Sequence, residues 1–278
     1  MVRAVRGHPR PLRELGEVAV LSRILFYAVV FAANVIQGIT GFAGTILAMP
    51  PSLMLVGYDV AKPVLNLLGL LSGVYVLAGA YRHVRVRELV RIVAVMAAGI
   101  VAAGFVRGCF AGREQVLYKL LGVFVVVLSV RGIYKVFLAA RRAGEGDEGF
   151  ARVSDGAASP APGAASYALL LAAGVVHGLF VCGGPLLIGY LARRVPDKTA
   201  FRVTISAVWI FLNGLILATD IRAGLWTPPT IGVGAVSVPF LAAGMFVGTK
   251  LYARMSQELF MRLTYALLLV SGLSLLVK

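Results

Sequence analysis

Apolar residues in this chain are gathered into blocks, most of them about 17–25 residues long, the length a helix needs to cross a hydrocarbon core about 30 Å thick. In the first part of the sequence they lie near residues 21–40, 42–56, 63–80, 89–106 and 116–138, and in the second near 166–181, 184–192, 203–218, 229–249 and 259–277. In lipid every backbone polar group must find its partner within the protein, so such blocks fold as helices. A spanning β-barrel would show ten-residue segments of alternating polarity, and the sequence has none. Only 14% of the 278 residues are charged and 59% are apolar, against roughly 25% charged in a soluble domain. The chain is therefore expected to be an all-α, polytopic membrane protein of the cell inner (plasma) membrane.

The formal charge of +15 would suggest nucleic acid in a soluble protein. Here the basic residues sit at the ends of the apolar blocks, where headgroup contact and snorkelling account for them, and no nucleic-acid partner is expected. The two cysteines, Cys109 and Cys182, have neither metal-ligand spacing nor a disulfide framework. Neither a metal nor a cofactor is expected. Arg3, Arg6, Arg10 and Arg13 ahead of an apolar run imitate a signal peptide, but that run continues into a segment that recurs later in the chain.

The recurrence is direct. Residues 33–47 read ANVIQGITGFAGTIL and residues 173–187 read AGVVHGLFVCGGPLL. At a constant offset of 140 residues, Gln37 faces His177, Gly38 faces Gly178 and Gly44 faces Gly184. Internal similarity of this kind marks a fold built from two related units. The blocks 42–56 and 184–192 are short and each follows a glycine-rich break, which reads as a broken or re-entrant helix pair. A re-entrant pair plus three crossings per half gives an odd count, so the second half is inverted relative to the first. The expected organisation is a basic N-terminal tail (1–20), a first membrane repeat (21–140), a flexible cytoplasmic linker (141–165) and a second membrane repeat (166–278). The linker is rich in Gly, Ala, Ser and Pro and has no face to bury.

Loop charge supports this topology. It gathers Arg82, Arg85, Arg87, Arg91, Arg131, Lys135, Arg141, Arg142 and Arg152 with Arg193, Arg194, Lys198, Arg202, Lys250, Arg254 and Arg262 on one side, which the positive-inside rule makes cytoplasmic. The tail arginines fit less well, because strict inversion places them outside. A complete crossing by segment 21–40 would relocate them at the expense of symmetry.

The two breaks are the candidate site. Gln37, Gly38, Thr40, Gly41, Phe42, Ala43, Gly44 and Thr45 form the first, and His177, Gly178, Phe180, Val181, Cys182, Gly183 and Gly184 the second. An interrupted helix leaves unpaired N–H groups with partial positive charge at the start of the next half-helix. Two such starts meeting near the midplane suit a small anion. The alternative for the glycines is close helix packing. His177 has two readings, a proton carrier coupled to transport or a neutral interhelical hydrogen-bonding residue. Asn66, Thr204 and Asn213, with Ser206 and Trp209, lie on a pair of equivalent segments that would line the same cavity. Lys62 and Arg202 at segment starts either attract anions or snorkel.

The stretch QGITGFAG (Gln37 to Gly44) and its looser copy HGLFVCGG (His177 to Gly184) resemble the signature found early in each half of the TauE/SafE sulfite-exporter family of membrane transporters. The resemblance covers almost the whole chain, including YRHVRVREL (Tyr81 to Leu89). It implies a secondary transporter, probable exporter in type, of sulfite, organosulfonates or related sulfur oxyanions. His177 for Gln, Cys182 for Phe and Ala43 for Gly depart from the pattern and bear on which anion is carried. Another small organic anion is the alternative cargo, and a membrane-embedded enzyme using His177 or Cys182 the alternative class. Against an enzyme, the spans contain no HExxH, no paired carboxylates and no Ser/His/Asp set. The expected partners are the anion and bilayer lipid, with homo-oligomerisation left open.

Overall fold

In a computed structural model, residues 12–41, 43–78, 81–109, 163–191, 194–195 and 198–252 are described, with scattered helical positions in 115–134 and at 269, 273 and 276. Eight helices organise these residues: α1 Leu12–Thr40, α2 Gly44–Val56, α3 Tyr58–Ala78, α4 Val86–Cys109, α5 Ala164–Phe180, α6 Gly184–Leu191, α7 Lys198–Arg222 and α8 Pro228–Tyr252. A short 3-10 turn, Tyr81–His83, precedes α4. No strand occurs among the described residues.

Five helices are long and apolar enough to cross a membrane, over Val20–Ile39, Tyr58–Ala78, Val86–Val106, Ala200–Arg222 and Pro228–Leu251. The other three are shorter: α2 has 13 residues, α5 has 17 and α6 has 8. Leu21, Ile24 and Leu25 of α1, Val101 and Phe105 of α4, and Ile231 and Phe246 of α8 are exposed. In water such faces would be a liability, whereas in lipid they are the solvated surface. The last expected crossing of each half (116–138 and 259–277) and residues 141–162 of the linker fall mostly or wholly outside the described residues. Helix α1 starts at Leu12, within the stretch expected to be tail.

Both breaks fold as tight reversals. A Cβ added to Gly44 would lie 2.7 Å from Ala33 O and from Gln37 Cβ. One added to Gly183 would lie 2.5 Å from Ala173 O and 2.8 Å from His177 Cβ. The chain after each break thus doubles back along the helix before it, and α1–α2 and α5–α6 are helical hairpins.

Packing between helices survives exchange of the two halves. Helix α1 packs on α8 and α5 on α4; α3 packs on α8 and α7 on α4; α3 and α7 meet each other. Two buried clusters result. One joins Phe26 and Val30 of α1, Met49 and Leu53 of α2, Leu65 and Leu68 of α3, and Leu241 and Met245 of α8. The other joins Leu170 of α5, Leu187 and Leu191 of α6, Ile205 and Leu212 of α7, and Ile92 and Met96 of α4. The first cluster also takes in Ala103 of α4 and Leu179, Phe180, Val181 and Cys182 at the second break, so both cores draw on both halves and neither half of the sequence packs as a separate domain.

Glycines set the closest approaches. Gly38 faces Met245 and Gly248 on α8; Gly178 faces Ile100 and Ala103 on α4; Gly174 and Gly99 meet between α5 and α4. In lipid, where no hydrophobic force drives helices together, small residues that let backbones touch supply dispersion contacts instead.

Candidate functional site

The first residue past each hairpin's leading helix is left-handed: Gly41 has φ +80° and Val181 φ +56°. The N–H of each donates to the carbonyl four residues back, Gly41 to Gln37 O (2.6 Å) and Val181 to His177 O (2.7 Å). Left-handed backbone is open to glycine but costs a residue with a Cβ about 1–2 kcal/mol. Val181 accepts that strain while 3% exposed in the core. Replacing Gly41 by alanine should lower stability by about 1–2 kcal/mol. The new Cβ, 3.2 Å from Arg202 Cγ, would also displace that side chain. Thermal unfolding in detergent reads the loss.

Gln37 and His177 perform the same task at the two breaks. Gln37 Oε1 accepts from the N–H of Gly44 (2.8 Å), while Gln37 Nε2 donates to Ser72 Oγ on α3 (3.1 Å) and Gly41 O (3.3 Å). His177 Nδ1 accepts from the N–H of Gly183 (3.4 Å), and Nε2 lies 2.8 Å from Asn213 Oδ1 on α7. These partners fit the neutral tautomer with the proton on Nε2. Each side chain thus fixes the start of the second half-helix and ties its hairpin to the next helix of its own half. Glutamine and histidine can exchange here because both present an acceptor and a donor on a short stem.

Between the hairpins lies a cavity lined by Gln37, Thr45, Ile46, Gly69, His177, Val181, Cys182, Gly184, Trp209 and Asn213. Both halves contribute, and none of the lining side chains carries a full charge. The Trp209 ring lies 4.8 Å from the His177 ring. Asn213 Oδ1 serves His177, and among the described residues no acceptor takes the Asn213 Nδ2 donors. Gly69 leaves room for that amide, since a Cβ there would lie 2.8 Å from Asn213 Nδ2. The first turns of α2 at Thr45 and Ile46 and of α6 at Gly184 also border the space. Such turns carry unpaired N–H groups and partial positive charge, although Pro185 has no N–H to offer. At ≈ 10 Å³ for a water-sized sphere's centre, the space holds about one water. It is closed to anything larger.

The structure brings Gln37, Thr45, His177, Cys182, Gly184 and Asn213 to this cavity. Gly41, Gly44 and Gly183 shape the reversals around it. Gly38 and Gly178 lie instead in helix contacts with α8 and α4, the packing alternative for these glycines. Thr204 faces away: its Oγ1 accepts from the N–H of Arg85 ahead of α4 (3.0 Å), and Ser206 Oγ donates to Arg202 O. Cys182 Sγ donates to Phe180 O (3.0 Å) and is buried. Phe42 and the Thr40 side chain lie outside the described residues.

Two basic residues depart from the snorkelling expectation. Lys62, 5% exposed, forms a buried ion pair with Asp220 of α7, Nζ to Oδ1 2.5 Å. Arg202 turns inward and donates from Nη2 to Gly38 O at the end of α1 (3.2 Å). Tyr58 reaches the other break, its hydroxyl donating to Leu179 O (2.6 Å). Each hairpin tip is thus held by a residue from the other half. Sequence reasoning missed Ser72, Gly69 and the Lys62–Asp220 pair. The pair had a readable signal, a lysine and an aspartate within reach of apolar segment ends on helices expected to be neighbours.

Long apolar helices around two broken helical hairpins, with an uncharged polar cavity between the tips, are the arrangement found in membrane transporters with discontinuous helices. The chain matches the model of the family described as "Sulfite exporter TauE/SafE" over residues 26–275, and it belongs to that family. This sets aside the membrane-enzyme alternative. It is also 28% identical over 120 residues to the "Probable inner membrane transporter protein TsaS" of Comamonas testosteroni, a match covering 43% of this chain and 50% of that protein. The chain thus spans about half the length of the curated relative it matches. No solved structure matches it.

Proposed function

We propose that the chain carries a small oxyanion across the inner membrane and that the anion binds in the cavity between the two helix breaks. The observation that carries this reading is the cavity's polarity. Asn213 Nδ2, the Thr45 hydroxyl and the starts of two half-helices supply donors around a space that no carboxylate lines. Neutral donors and helix N-termini hold an anion without a buried countercharge. Sulfite and organosulfonates, small and rich in acceptor oxygens, suit such a donor set, and the family's description points the same way.

The hairpins enter from opposite faces. Helix α2 ends at Gly57, beside the Tyr58 and Lys62 end of α3, whereas Arg194, just beyond α6, lies 3.8 Å from Glu88 at the start of α4. This supports an inverted pair of repeats with the Arg85–Arg91 face in the cytoplasm. In a closed state both tips seal the cavity, and opening of one hairpin at a time gives alternating access.

Flux into proteoliposomes with a panel of sulfite, sulfate, thiosulfate, sulfoacetate and carboxylates tests the reading. At least one sulfur oxyanion is expected to move; a folded protein that moves none of them would refute it. We further assign His177 as the coupling-proton carrier. His177→Gln should fold, because Gln37 already plays the same structural part. It should keep downhill anion flux and lose accumulation driven by a pH gradient. Unchanged gradient-driven accumulation would remove His177 from that role.

A further inference from the structure

Among the described residues, Lys62 and Asp220 form an ion pair in which both partners are almost wholly buried, with side chains 6% and 3% exposed. Burying two charges in an apolar surrounding carries a desolvation penalty that their attraction often fails to offset, and an apolar pair of similar volume commonly replaces it without loss. Charges kept inside a membrane segment point to function. The pair is also well placed. It ties α3 to α7 about two helical turns, roughly 10 Å at 1.5 Å per residue, from Gly69 and Asn213 on the same seam.

One turn on from Lys62, between the pair and the cavity, sits Asn66, fully buried. Its Nδ2 donates to Asn213 O (2.9 Å), but its Oδ1 accepts no hydrogen bond. Leaving a buried carbonyl oxygen unsatisfied is unfavourable, so this atom calls for a donor that the closed state does not supply. Residues at i and i+4 are neighbours on a helix face, so Asn66 lies one turn from Lys62 on the cavity side. Lys62 also stands 140 residues before Arg202, the basic residue that touches the first break at Gly38 O. The cavity is therefore neutral, with a buried lysine on α3 and a part-buried arginine on α7 held beyond it.

We propose that Lys62 is a mobile anion-contacting residue. In the closed state it is parked on Asp220. When an anion occupies the cavity, the ammonium moves one turn along α3 to Asn66 Oδ1 and approaches the anion. Asp220 acts as a tethered anion that occupies Lys62 until substrate competes for it. This rests on the reading of the cavity as an anion site.

Asp220→Ala tests it by opening space beside the ammonium. Formate, acetate or sulfite should then take the place of the lost carboxylate and raise the melting temperature of the variant by several degrees more than that of the parent. The neutral double variant Lys62→Met/Asp220→Ala leaves no buried charge alone, so it should fold and show no such anion dependence. Its anion flux should be at least about tenfold below the parent, the effect of losing one charge-assisted hydrogen bond. Asp220→Ala with no stabilisation beyond the parent, or the double variant transporting at the parental rate, would reduce the pair to a structural tie and overturn the proposal. A folded parent that moves no anion removes the transport reading instead, and the anion dependence of Asp220→Ala then decides whether Lys62 is an anion contact.

Discussion

Replacing Gly248 with leucine is expected to leave α1 and α8 unable to close on each other. Even the first added carbon would lie 2.1 Å from Val35 O and 3.0 Å from the Gly38 Cα. Those are backbone atoms, which cannot rotate aside. Overpacking costs about 1–3 kcal/mol where side chains can adjust; here two helices must separate along their shared face, and a loss at or above the top of that range is expected. A fold stable by only about 5–15 kcal/mol would then lose much of its folded population. Gly174→Leu should do the same on the α5–α4 face, where a Cβ would lie 2.3 Å from Met96 O. Gly232→Ala on α8 meets nothing within 4 Å. It should be neutral or stabilise by up to about 1 kcal/mol through helix propensity. Size-exclusion profiles and thermal unfolding in detergent separate these outcomes. Parental stability for Gly248→Leu would contradict the α1–α8 packing.

Asn213→Asp is expected to abolish anion flux while preserving the fold. The remaining carboxylate oxygen still accepts from His177 Nε2, the 2.8 Å contact that holds the second hairpin. What changes is the atom facing the cavity: an amide donor becomes a charged acceptor. Like charges brought together at a desolvated site cost several kcal/mol, and each 1.4 kcal/mol is a factor of ten, so flux should fall by about two orders of magnitude or more. Asn213→Leu is a poorer test, because it strands the His177 N–H and adds about 1–3 kcal/mol of destabilisation. Flux and melting temperature measured together check the prediction. Parental flux in Asn213→Asp would move the anion's path elsewhere.

Much of this architecture was legible in the sequence. Length and apolarity alone identified the five described helices able to cross a membrane, and the match of QGITGFAG with HGLFVCGG located both breaks. The pairing of Gln37 with His177 reappears in the structure with a shift of one residue: Gln37 accepts from the N–H of Gly44, His177 from that of Gly183, the counterpart of Ala43. Periodicity could not reveal which glycines shape the reversals and which pack against a neighbouring helix. Gly38 and Gly44 look alike in a motif, yet one faces α8 and the other the Gln37 side chain. Nor could equivalence alone place Thr204, which is expected to line the cavity with Asn66 and instead accepts from the Arg85 N–H ahead of α4. The left-handed position of the second break falls on Val181 and not on a glycine, so glycine content marked the region without marking the residue. Of the two readings for Lys62, snorkelling gives way to a buried ion pair, whose aspartate lies 158 residues away. Long-range pairing of that kind depends on which helices meet, a fact the local pattern does not contain.

The most direct measurement is an experimental structure in lipid with sulfite bound, or with whichever anion of the flux panel proves to move. The anion is expected between the hairpin tips, with an oxygen about 3 Å from Asn213 Nδ2 and the first turns of α2 and α6 on either side. An anion bound elsewhere in a transport-competent protein, with the cavity between Gln37 and His177 still closed, would contradict the assignment.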